Sequence, residues 1–158
     1  MKFVDFICKD AIITDLGNTE KEDVIREMVE ALAKAGQLPK DESENIITAI
    51  LKREEFGSTG IGHGIAVPHT KLPTVDTLVG SVAVSKTGVD FASIDGSDVH
   101  LFFMVISPLD RSTDHLRVLE RTSKQLQNET FCRFLKQSET IDDIWQLLEE
   151  ADNDQFTS

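Results

Sequence analysis

Gly57-Ser58-Thr59-Gly60-Ile61-Gly62-His63-Gly64-Ile65-Ala66-Val67-Pro68-His69 is a glycine-rich loop that runs into three apolar residues and stops at Pro-His. Four glycines in eight positions free the backbone for tight turns and close approach. Residues 65–67 read as a short buried strand, and Pro68, which has no N–H for a ladder, is expected to end it. His69 then stands just past a strand end, where the core holds a side chain that a partner can reach.

Outward from this loop the chain reads as alternating helices and strands. Residues 11–16 are expected to form a first strand. Gly17-Asn18-Thr19 offers a cap for a helix through about Ala35, with Val24, Met28, Val29 and Leu32 inward and Gly36 as its stop. Asp41 with Glu44 has the spacing of a capping box, opening a helix whose Ile46, Ile47, Ile50 and Leu51 face the core until Gly57. Arg53 falls in its last turn, where a cation suits the helix dipole with or without a site role.

Beyond His69, residues 78–84 and 99–106 are rich in β-branched and aromatic side chains and read as strands. Residues 101–106 are apolar on both faces, which predicts a central strand covered by helices on each side. A helix is expected from Ser112 or Thr113 to Leu126 with Leu116, Leu119 and Leu126 inward, then a shorter one over 129–136. Thr140 is placed to cap a last helix to Glu149 with Ile141, Ile144, Trp145 and Leu148 inward. Together these elements give one α/β domain over residues 1–150, a mixed sheet flanked by helices, and a polar, frayed tail over 151–158.

The loop and two later positions carry a resemblance. Arg53-Glu54, Gly57-Ser58-Thr59-Gly60, the run from Ile65 to His69, and Asp114-His115-Leu116 in a helix after an apolar strand together resemble the IIA domain of the fructose/mannitol type in the bacterial phosphoenolpyruvate-dependent phosphotransferase system, most closely its nitrogen-regulatory branch. The resemblance covers nearly the whole chain. It implies that His69 is the residue phosphorylated by a histidine phosphocarrier protein or its nitrogen-type homologue, with His115 and Arg53 beside it. It also implies that no metal or organic cofactor is needed. Two uses of such a carrier follow: relay to a separate IIB protein for sugar uptake, or a phosphorylation switch acting on regulatory protein targets. The closeness of residues 57–60 and 65–69 to the regulatory branch favours the switch.

The residues bear on this chemistry in their own right. Phosphoryl transfer asks for a nucleophile, supplied by a neutral imidazole, and for donors that stabilise the equatorial oxygens. His115, in the first turn of a helix after Ser112, Thr113 and Asp114, lies where the dipole disfavours imidazolium and attracts anions. Ser58 and Thr59 are candidate phosphate-binding donors and equally ordinary turn residues. The resembling proteins usually have asparagine or glutamate where His63 stands, and often glycine where Thr70 stands. His63 reads as an exposed loop residue, with a near-site donor as the alternative; Thr70 bears on partner fit; His100, before an apolar strand, reads as structural.

Composition excludes other classes. With 28 acidic against 16 basic residues and a net charge of −12, the chain is poorly suited to a nucleic-acid backbone. Cys8 and Cys132 form no Cys-x-x-Cys or Cys/His cluster, and the histidine spacing matches no zinc motif. Reduced cysteines suit the cytoplasm. The longest apolar stretch, residues 101–106, is too short to span a bilayer, so neither membrane insertion nor a targeting segment is expected.

Overall fold

In the computed structural model, which describes residues 1–156, the glycine-rich stretch folds as a hairpin followed by an interrupted strand. Strand β1 (Gly60–Gly62) turns back through His63 and Gly64 into antiparallel β2 (Ile65–Ala66). Both turn residues have positive φ, 58° and 78°, as a type I′ two-residue hairpin requires. Gly64 adopts this freely, whereas His63 carries a side chain into it. Strand β2 pairs in parallel with β5 (Val99–Pro108), Ile65 beside Leu101 and Ala66 beside Phe102.

The expected strand end at Pro68 is instead an interruption. Pro68 donates nothing, but its carbonyl accepts the Val105 N–H at 3.0 Å. Strand β3 (His69–Leu72) then resumes parallel pairing on the same edge of β5, His69 opposite Val105 and Lys71 opposite Ser107. His69 is therefore the first residue of a strand, fixed by pairing on its C-terminal side as well.

Strand β4 (Val79–Val89) covers the other edge of β5 in antiparallel register, so β5 is central in a mixed five-stranded sheet, and Leu101 through Ile106 have no exposure. Alternation along β5 divides the core. Phe102, Met104 and Ile106 pack under α2 (Lys21–Lys34) and α3 (Ser43–Glu55). Leu101, Phe103 and Val105 pack under α1 (Phe3–Phe6), α4 (Ser112–Gln125), α5 (Glu129–Gln137) and α6 (Ile141–Asp152). Each such side chain contributes about 1.5–3 kcal/mol of transfer free energy. Cys8 is half-buried, Cys132 is buried, and both are free thiols.

Several expectations are corrected. Residues 11–16 do not form a strand: a 3₁₀ turn at Lys9–Ala11 interrupts the extended chain, leaving only isolated bridges to β4, Ile7 with Gly80 and Ile13 with Ala83. Helix α2 is not capped by residues 17–19, because Gly17 N–H and Asn18 Nδ2 donate instead to Glu27 on the helix, at 3.0 and 2.8 Å. Nor does Asp41 cap α3: a 3₁₀ turn, Lys40–Glu42, precedes it, and Glu44 pairs with Arg26 of α2. Leu116 and Ile141 face solvent, 57% and 37% exposed. The buried stripe of α4 is His115, Val118, Thr122 and Gln125, spaced three, four and three apart.

The C-terminal helix runs further than expected. Thr140 does cap α6, accepting Asp143 N–H at 3.0 Å while the Asp143 carboxylate accepts Thr140 N–H at 3.2 Å. Ala151 and Asp152, however, are buried helical residues and not a frayed tail. The Asp152 carboxylate accepts the N–H groups of Phe3 and Val4 at 2.7 and 3.1 Å, and Phe156 packs on Phe131 with ring centroids 5.2 Å apart. Residues 157 and 158 lie outside the described residues.

Candidate functional site

The backbone fixes the tautomer of His69. Its Nδ1 lies 2.8 Å from the Val67 carbonyl oxygen; a carbonyl only accepts, so Nδ1 carries the proton and Nε2 is left with a bare lone pair. The side chain is partly buried, on the sheet face shared by Val105 and Lys71. That face meets the start of α4, and the His115 ring lies over it, centroids 5.5 Å apart with the planes at 55°. The fold thus brings together two histidines 46 positions apart.

His115 occupies a position on α4 that an apolar side chain would ordinarily take. It is 5% exposed, and its Nδ1 is hydrogen-bonded to the hydroxyl of buried Ser107 on β5. Burial, the neighbouring His69 and the Lys71 cation push its pKa down to about 4. Burial likewise lowers the pKa of His69, with the Arg53 and Lys71 cations adding to it and the Val67 hydrogen bond and Glu54 opposing. Both rings are neutral at pH 7; the cations acting on them are Arg53 and Lys71, and the nearby anion is Glu54, itself paired with Lys21. An anion is what such a pair of cations and a helix start accommodate.

Arg53 lies in the last turn of α3, where Nη1 donates to the Gly57 carbonyl at 3.0 Å, tying the helix end to the loop. Glu54, next to it, is buried and organises that loop: Oε1 accepts Thr59 N–H at 3.0 Å and pairs with Lys21 at 2.9 Å, and Oε2 accepts the Thr59 hydroxyl. Both Thr59 donors are therefore engaged, and Thr59 builds the loop and does not offer a free donor to phosphate. Ser58 is similarly occupied, donating to the Phe91 carbonyl at 2.6 Å and accepting Gly60 N–H at 3.0 Å. A Cβ at Gly60 would come within 2.4 Å of Ser93 Oγ and 3.1 Å of Ser93 Cα, so any larger residue there has to displace Ser93.

Sequence reasoning missed Lys71 and Ser107. Lys71 is two residues beyond His69 on β3, hence on the same face, and its Nζ reaches Ser112 Oγ at 3.4 Å. The period-two spacing was the available signal, hidden because a polar His-Thr-Lys-Leu run after proline does not read as a strand. His63 is exposed, away from these contacts, with its N–H donated to Asp95 at 3.0 Å. His100 donates Nδ1–H to the Ser85 carbonyl at 2.9 Å, a structural role as expected. Thr70 is partly buried, in register with Ile106.

Comparison with known proteins shows the family of the chain. The family described as phosphoenolpyruvate-dependent sugar phosphotransferase system, EIIA 2, matches residues 5–151. The chain belongs to this family. This EIIA 2 chain is 38% identical over 152 residues to the fructose-specific EIIABC component of Bacillus subtilis, covering 96% of the chain and 24% of that protein; it spans about a quarter of that relative. It is 30% identical over 148 residues to the nitrogen regulatory protein of Bradyrhizobium diazoefficiens, covering 94% of this chain and 95% of that one. Its fold resembles the crystal structure of nitrogen regulatory protein IIA-Ntr from Neisseria meningitidis, with a TM-score of 0.83 at 23% identity over 91% of this chain and 97% of that one. Among the described residues of the EIIA 2 chain, no helix is long and apolar enough to cross a membrane, and no group of three or more His, Cys, Asp or Glu is placed to hold a metal ion.

Proposed function

We propose that this EIIA 2 chain is a cytoplasmic phosphoryl carrier that accepts phosphate on His69 Nε2 from a histidine phosphocarrier protein. The observation that carries the reading is the His69 ring, its Nδ1–H given to the Val67 carbonyl and its bare nitrogen beside His115. As the new bond from Nε2 to phosphorus forms, the bond from phosphorus to the donor's histidine breaks, and the electron pair returns to that imidazole. The positive charge gained by the His69 ring is stabilised by the carbonyl that holds its Nδ1–H. Ser107 donating to His115 Nδ1 leaves the His115 Nε2–H for an equatorial oxygen, and Arg53 and Lys71 balance the dianion. Ser58 and Thr59 contribute by shaping the loop.

In this reading the phosphate is a signal. Adding nearly two negative charges to a neutral pair changes which protein targets bind, and the near end-to-end match with a nitrogen regulatory protein supports that use. The second reading is relay to a separate IIB protein in sugar uptake, supported by the match of 96% of this chain, at 38% identity, to part of a fructose-specific EIIABC component.

The test is intact mass after incubation with phosphoenolpyruvate, enzyme I and the phosphocarrier. One acid-labile phosphate, absent from His69→Ala, supports the carrier; persistent label in that variant overturns it. Transfer onward to a purified IIB protein, or its absence together with phosphate-dependent target binding, separates the two uses.

A further inference from the structure

A cavity of about 740 Å³ lies between the β1–β2 hairpin and the corner joining α4 to α5. Ser123 and Leu126 in its wall are eight and eleven positions beyond His115, roughly 12–16 Å along the helix axis, so it is separate from the His69 site. Its floor is apolar, made by Ile61 and Ile65 on the hairpin side and Leu126 and Cys132 on the helical side. Cys132 packs there as an inert group: its Sγ donates to the Leu126 carbonyl at 3.2 Å, and burial raises its pKa to about 11.

The rim is basic. Arg133 and Lys136 of α5 line it together with His63. Among the described residues neither Arg133 nor Lys136 forms an ion pair: Lys136 Nζ reaches the His63 carbonyl at 3.4 Å, and the Arg133 guanidinium lies 5.5 Å from the Phe134 ring centroid. Glu129 is the only acid in the lining. Two cations without an ion pair, against one acid, beside an apolar floor are notable in a chain of net charge −12, and the volume is within the range of small-molecule sites.

We propose that this groove binds a small amphipathic carboxylate, its apolar body on Ile61, Ile65 and Leu126 and its carboxylate on Arg133 and Lys136. Arginine offers a carboxylate two parallel donors, and the lysine adds a point charge. The hairpin wall runs from Ile65 through Pro68 into His69, so an occupant would brace the segment that feeds the phosphoryl site.

The probe is sodium octanoate, titrated into the ¹⁵N-labelled full chain and followed by amide shifts, with octanol as the neutral control. Saturable shifts at Ile61, Gly62, Ser123 and Gln127, with Kd below about 1 mM and octanol at least about tenfold weaker, are expected. Substituting Arg133→Gln and Lys136→Gln together weakens octanoate by about tenfold or more while leaving octanol binding and the amide spectrum elsewhere unchanged. The proposal is overturned by octanoate shifts that do not saturate, by shifts on another face, or by equal octanoate affinity in the double variant.

Discussion

His69 and His100 stand near the starts of adjacent strands, and the backbone treats them alike. Each gives Nδ1–H to a carbonyl, Val67 at 2.8 Å and Ser85 at 2.9 Å, so each has a bare Nε2. What differs is the company. His69 has the His115 ring at 5.5 Å and the field of two cations. His100 is wedged against glycines: a Cβ placed at Gly88 would lie only 3.0 Å from its Cε1, and one placed at Gly64 would lie 3.8 Å from its Cδ2. The backbone selects the tautomer, and the neighbours distinguish the proposed nucleophile from a wedge.

The largest expected effect breaks the pair apart outright. His69→Ala abolishes acid-labile labelling by the phosphocarrier, whereas His100→Ala is labelled at near the parental rate and loses about 1 kcal/mol of stability, the worth of one hydrogen bond. Mass spectrometry and urea denaturation read the two outcomes. Labelling lost equally in both variants would show that a bare Nε2 on a strand, and not the surroundings of His69, is what matters.

Next comes the neighbour that His100 lacks. His115→Ala is expected to slow transfer about 10²-fold while leaving a phosphorylatable protein, as removal of one oriented donor does. Rapid-quench labelling measures it; an unchanged rate removes His115 from the site.

How much of this contrast the sequence carried depends on the element. The apolar run over 101–106 marked a central strand because both of its faces are covered, the run over 65–67 marked a short buried one, and the main helices followed from their apolar stripes. The site was less legible. That His69 and His115 meet came from the resemblance alone, since no local pattern reports a contact across 46 positions. Strand β3 escaped notice because its pairing is imposed by the edge of β5 and not by its own polar residues. Leu116 was assigned inward because leucine usually is; with the helix starting at Ser112, it is His115 that faces Ser107, and Leu116 points 100° away. The role of Glu54 in holding Thr59 and Lys21 was equally hidden, because a glutamate late in an acidic helix ordinarily faces water.

The pH dependence sharpens the comparison by a smaller amount. A histidine whose folded pKa is lowered contributes stability that is complete above its unfolded pKa, near 6.5, and is lost as pH falls toward the folded value, because the unfolded chain binds the proton first. For His115, with its pKa near 4, the loss between pH 6.5 and 4 is about 2–3 kcal/mol. Urea midpoints for the parent and His115→Gln across that window should converge as pH falls, since the variant lacks this component of the slope. Parallel curves would mean that His115 is as easily protonated as a surface residue.

The smallest effect comes from the other end of the comparison. Gly88 has φ of 93°, and a Cβ there would also meet Asp98 Cβ at 3.1 Å and His100 Nε2 at 3.2 Å. Gly88→Ala is therefore expected to cost about 1–2 kcal/mol, from positive φ and from displacement of the His100 ring. Labelling should be unaffected, because the strain falls at the β4–β5 bulge, where register shifts between Val84 and Val89. His69 pairs further along β5, at Val105. If Gly88→Ala slowed phosphorylation as much as His115→Ala, the two strand starts would be mechanically linked through β5, and the wedge would belong to the mechanism after all.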